Sequence, residues 1–366
     1  MLRNIKAILT RNGCFASAFD RSPLRYGLLL TALALACFAL PASAMPTATP
    51  TATPSPSLTP NLDAIYETNY QINTIEVFSL AGSDLGTFGT PVRPTGLVFD
   101  NAGNLYVSSD DIPNGVYSVL KFAPDGSFSV FANSGLANPH ALVFDTAGNL
   151  YLANAGSSTI MKFTPDGVGT VFADARDGLA FPIDLAFDTT GNLYVSNALG
   201  GQARNGSVLK FTPDGVGSVF AENGFQLAYG LAFDSAGNLY VSNYNSSTIE
   251  KFSPDGVDLG VFAGNPGVNR PHGMVFDTAG NLYVTNNGNN TIEKFSSTGA
   301  DLGVFAQTGD GPHFMTMFRP TETPSPTPTS TPSPTVTPTP TPSPSNTPTP
   351  PTPHAVSSPP RDHRVR

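Results

Sequence analysis

The chain of 366 residues has no tryptophan and only 2 cysteines. Cys14 and Cys37 both lie in the N-terminal leader, so the remaining sequence can form neither a disulfide framework nor a cysteine-ligated metal centre. Charge is also scarce: Asp, Glu, Lys and Arg make up 12% of the chain. Within 61–318 there are 24 acidic residues against 9 basic ones. A surface of that sign offers no footprint for a phosphate backbone, which excludes nucleic acid as the expected partner. No apolar run is long enough to cross a bilayer comfortably; the longest, at 27–40, falls short. Also lacking are a Ser-His-Asp order and a glycine-rich phosphate loop.

What is present divides the chain into four parts. Residues 1–44 read as an export signal, with Arg3, Lys6, Arg11, Arg21 and Arg25 ahead of the apolar run and a small-residue A-x-A site, Ala42-Ser43-Ala44, after it. Residues 45–60 and 319–366 hold most of the 35 prolines, largely as Thr-Pro and Ser-Pro pairs. They have little apolar surface to bury, and proline removes backbone donors, so they are expected to be extended, disordered spacers. The expected setting is secreted or cell-envelope, with no transmembrane segment in the mature chain, which is expected to be a monomer.

Residues 61–318 are built from a repeat. The stretch 271–305 contains four β-prone runs, GMVF, NLYVT, TIEKF and LGVF. Between the first two lies Asp277-Thr278-Ala279-Gly280-Asn281, where the Asp side chain can accept nearby backbone N–H groups and Gly supplies a positive φ. The turn between the last two reads Pro254-Asp255-Gly256 in a sister copy. The first-strand Phe recurs at Phe99, Phe144, Phe187, Phe233 and Phe276, a period of 43–46 residues, each followed by Asp-x-x-Gly-Asn-Leu-Tyr. A four-stranded antiparallel unit of this length is a β-propeller blade.

The flanks complete the ring. Residues 64–69, 74–78 and 84–88 match strands two to four of a blade, and 312–317 match a first strand. Five whole blades and one composite blade predict an all-β, six-bladed propeller in which chain ends join by strand pairing and leave no open edge. The Asp-x-x-Gly-Asn-Leu-Tyr-Val and Thr-Ile-x-Lys-Phe strings resemble NHL repeats, which form six-bladed propellers. The recurring Lys121, Lys162, Lys210, Lys251 and Lys294 share one strand position, and the expectation for them is contact between blades or with solvent.

Topology selects one face for function. The start of strand one, the end of strand two and the loop after it lie together at one end of the channel. At the end of strand two stand Asn69, Ser109, Asn154, Asn197, Asn243 and Asn286. Such Asn side chains can bond the turn backbone or present carbonyl oxygens to a ligand or cation. At the start of strand one stand Thr95, His140, Ile183, Tyr229, His272 and His313. Asn69, Asn154, Asn197, Asn243, Asn286 and Tyr229 are the candidate ligand-binding residues. His140, His272 and His313 are the candidate metal ligands, with zinc or calcium as the divalent ion to consider. In position the histidines resemble those of the peptidylglycine amidating lyase propeller, which imply a catalytic metal. The gluconolactonase and senescence-marker family is also six-bladed; its resemblance implies carboxylate ligands at strand-one starts, where this chain has none, and Asp184 lies one residue off. The reading is a binding scaffold for a protein or carbohydrate ligand. Its rivals are a metal-dependent lyase or lactonase at the channel mouth and a structural spacer.

Overall fold

The computed structural model describes residues 63–319 except 112–113, 202–205 and 223. The expected export signal, the first linker and all but Arg319 of the C-terminal tail lie outside these residues.

The described chain forms six four-stranded antiparallel sheets. The first blade runs from Pro94–Phe99 to Phe128–Ala132 and the second from Pro139–Phe144 to Gly169–Ala173. The third runs from Pro182–Phe187 to Gly217–Ala221, the fourth from Ala228–Phe233 to Asp258–Ala263, and the fifth from Pro271–Phe276 to Asp301–Gln307. The closing blade pairs Pro312–Phe318 with Ala64–Asn69, then adds Thr74–Ser79 and Asp84–Gly89. The first strands touch one another around the axis, and Pro312–Phe318 packs against both Pro271–Phe276 and Pro94–Phe99. The composite blade is therefore the joint that closes the ring, as the sequence flanks predict.

The repeat motif has a physical explanation. In the fifth blade Asp277 Oδ1 accepts the backbone N–H groups of Ala279 and Asn281 at 2.9 and 2.8 Å, and its Oδ2 accepts the Asn281 amide at 2.8 Å. The acceptor pattern thus reaches two and four residues on, and Asp and Asn lock one hairpin together. At the second turn type, the Gly256 N–H donates to the Ser253 carbonyl at 2.9 Å, with Gly256 at φ +82°. Only glycine adopts that angle without strain.

The motif tyrosines join blades. Tyr106 makes edge contacts at 5.0 Å both with Phe131 of its own blade and with Phe144 of the next. The same arrangement recurs at Tyr151, Tyr194 and Tyr240. Alternate residues of the second strands enter opposite blade interfaces, so each sheet is buried on both faces. The recurring lysines are partly open to solvent, as expected, and their ion pairs lie within their own blades. Each ammonium sits 3.6–4.0 Å from the hairpin Asp of its own blade. Each also lies 4.9–5.1 Å from the centre of its own blade's motif tyrosine. Cross-strand pairing places Lys beside Tyr on one face, as in Tyr283 opposite Lys294, which is why the contact stays within the blade.

Candidate functional site at the channel mouth

All six inner strands are entered the same way. The residue just before each strand, Arg93, Asn138, Phe181, Leu227, Arg270 or Gly311, has a left-handed backbone with φ between +43° and +78°. In each case its carbonyl accepts an N–H from the residue that follows the repeated Asn or Ser of strand two, such as Asp110, Ala155 or Tyr70. Glycine is unstrained there, but Arg, Phe and Leu are not. Six copies of one left-handed joint therefore frame the mouth, five of them at non-glycine residues, and strain of this kind concentrates at functional positions. Residue type gives no hint of it, because the six side chains share no property.

The strand-one side chains converge on the axis. The His272 and His313 rings are 4.5 Å apart, and His313 and His140 are 6.5 Å apart and nearly parallel. Tyr229 lies 4.6 Å from His272, and Tyr244 stacks on Tyr229 at 5.1 Å. On the other side Tyr70 stacks on His313 at 4.9 Å, and the Arg93 guanidinium covers Tyr70 at 4.4 Å. Arg270 lies 5.9 Å from the Tyr244 ring. The result is a continuous layer of rings across the mouth, with an arginine at each end. Ile183, Phe181 and Leu227 supply its apolar flank. Thr95 takes no part: it is buried and its hydroxyl donates to the Pro139 carbonyl at 2.7 Å.

Burial sets the protonation states. It pushes the His140 imidazole down to about 4 and that of His272 to about 3. His313 is depressed as well, by burial first and then by the neighbouring imidazoles and Arg93. All three are neutral rings at pH 7, and their Nδ1 atoms have no hydrogen-bond partner. Burial also raises the Tyr70 and Tyr229 phenols to about 12, so both remain O–H donors. Tyr70 donates to Asp110 Oδ2 at 3.1 Å.

The histidines thus meet as their register predicts, but as a ring stack. Among the described residues, no three His, Cys, Asp or Glu side chains are grouped so as to hold a metal ion. Asp184 lies away from this layer, between blades, where its carboxylate accepts the N–H groups of Leu185 and Leu231 at 2.8 and 2.7 Å. The asparagines divide. Asn154, Asn197, Asn243 and Asn286 each accept a backbone N–H of the loop entering their own blade and donate to a carbonyl of the same loop. All four are fully buried, and their amides hold that loop in place. Asn69 makes neither bond. Tyr70, Tyr244, Arg93 and Arg270 do not stand out in the sequence, because they reach the mouth from loops of different blades.

Residues 268–295 match the family model described as the NHL repeat. The chain is a six-bladed propeller that carries an NHL repeat at 268–295. Its sequence matches no curated protein. Among solved structures it is similar to a chain of the nidogen/laminin complex, with a TM-score of 0.61 and 19% identity over 70% of this chain and 99% of that one. It is also similar to a protein provisionally described as a gluconolactonase, with a TM-score of 0.51 and 19% identity over 60% of this chain and 80% of that one. At such identities the likeness is one of fold, and propellers host unrelated activities.

Proposed function

We propose that the propeller is an exported binding scaffold that engages a protein ligand through the channel mouth. The observation that carries this reading is the ring layer Tyr244–Tyr229–His272–His313–Tyr70, half-buried at its rim and flanked by Arg93 and Arg270. Tyrosine and arginine dominate the energetics of protein interfaces, because each offers a large, rigid contact area with polar reach. Neutral imidazoles and protonated phenols add donors and acceptors at no charge cost. The structural likeness to a chain from a complex of two proteins agrees with this reading. A carbohydrate could also stack on tyrosine, but the paired arginines favour a partner with acidic groups at matching ends.

The competing reading, a metal-dependent lyase or lactonase, would draw on the same imidazoles. The separation of His140 from its neighbours and the lack of a nearby carboxylate at strand-one starts favour binding.

A photo-cross-linking residue placed at position 244 should capture a discrete protein on the producing cell or its surroundings. The same residue at position 219, on an exposed outer strand, should not. Tyr70→Ala in the 244-labelled protein should lower capture at least tenfold, as expected when a central anchor is removed. Equal capture from 244 and 219 would reject the mouth as the binding face.

A further inference from the structure

The slot occupied by Glu67 is apolar in every other blade. Its counterparts are Val107, Leu152, Val195, Val241 and Val284, all fully buried. Glu67 is fully buried too, and neither carboxylate oxygen has a hydrogen-bond partner. It pairs across the sheet with Glu76, so two carboxylates share one face of the closing blade. That face packs against the fifth blade, where Ile65, Phe78 and Met315 meet Tyr283 and Ile292.

An independent observation comes from Asn69. It is fully buried, lies two residues along the same face, and both ends of its amide are unpartnered. Its four counterparts are all satisfied by the loop entering their blade. The reason is length: the segment 308–311 is shorter than 133–138, 174–181, 222–227 and 264–270, and it is tied down instead by the Gly309 N–H donating to Glu76 Oε2 at 3.1 Å. Thr74 stands opposite Asn69, and its hydroxyl is also buried without a partner. The pocket is drawn tightly around Gly309. A Cβ there would lie 3.0 Å from Glu76 Oε1 and 3.3 Å from Asn69 Cγ.

We propose that Glu67, Asn69, Thr74 and Glu76 form a binding site for a calcium-class divalent cation, buried between the closing and fifth blades. Two carboxylates match the charge of one divalent ion. The donors are all oxygens, which suits a hard cation and not zinc or copper. Calcium accepts 6–8 oxygens in flexible geometry, whereas magnesium keeps several waters that a fully buried Glu67 leaves little space for. An unpartnered, fully buried Glu67 carboxylate beside a second carboxylate would otherwise be a large desolvation cost at the joint that closes the ring. Burial first, and then the neighbouring Glu76, hold the Glu67 carboxyl well above its ordinary range.

The test uses the purified full chain, stripped with EDTA at pH 7.5 and titrated with calcium chloride alone. Calcium should raise the melting temperature of the wild type by about 5–10 °C at a hundredfold excess over Kd. Calorimetry should count one ion per chain. Glu67→Gln should abolish the shift while His272→Ala keeps it. Glu67→Val, which restores the residue type of the other blades, should melt higher than the wild type in EDTA and ignore calcium; it also serves if Glu67→Gln fails to fold. A wild type that does not respond to calcium, or a Glu67→Val protein that responds equally, would overturn the proposal.

Discussion

A chain ending at residue 311 should show no cooperative thermal transition near that of a chain ending at 319, and most of it should be insoluble. The strand Pro312–Phe318 is the innermost strand of the closing blade and pairs with Ala64–Asn69 along its length. Its removal strips Phe314 and Met315 from the core, and with them the partly buried Met317 and Phe318. At about 1.5–3 kcal/mol per large apolar side chain, the loss is on the order of 5–10 kcal/mol, comparable to the whole stability of an ordinary domain. It also bares the edge of Ala64–Asn69, and an unpaired strand next to an apolar face is a template for aggregation. Equal midpoints and equal solubility for the two chains would show that the ring does not depend on this joint.

Acid should destabilise the propeller through its mouth. The unfolded-state value of histidine is about 6.5, while burial depresses His140 to about 4 and His272 to about 3. The folded state therefore refuses protons that the unfolded state accepts. Their contribution is fully present above about 6.5 and is lost as pH falls from there toward 4 and then 3. At pH 5 the cost is about 2 kcal/mol for each of these two rings. Asp184 and Glu293 work in the opposite direction. Burial raises both to about 7, so they gain relative stability as pH falls from 7 toward 4. The clean measurement is a difference in which those carboxylates cancel. A His140→Gln/His272→Gln/His313→Gln protein should overtake the wild type by about 10 °C or more in melting temperature between pH 7 and pH 5. Parallel melting curves across that range would mean that the imidazoles are not buried as neutral rings.

The architecture was legible because the blade repeats its chemistry. Asp277, Gly280 and Asn281 encode one hairpin, and their counterparts recur in four other blades, so the strands, their order and the split blade could be counted from the sequence. The shared register of His140, His272 and His313 was equally legible, since strand-one starts must face the axis in a meander of this kind. The rest depends on contacts that cross blades. Tyr70 meets His313, and Tyr229 meets Tyr244 and His272, only once the ring has closed. The left-handed joint at Arg93, Phe181 and Leu227 is set by a backbone hydrogen bond, for which residue type carries no code. The role of the repeated Asn could be narrowed only by its partners, which lie in the loop seventeen and nineteen residues upstream in the four whole blades that carry it. Glu67 is different. Aligning Tyr66-Glu67-Thr68 with Tyr283-Val284-Thr285 is enough by itself to reveal a carboxylate in an apolar slot.

Closure of the ring by its two chain ends is what assembles the mouth, because His313 and Tyr70 both reach it from the closing blade. Amide hydrogen exchange on the intact chain tests it directly. The amides of 64–69 and 312–318 should be protected as strongly as those of 271–276 and 282–286, and should open together with them as denaturant is raised. Exchange of 312–318 within seconds, while 282–286 stays protected, would contradict the closed ring.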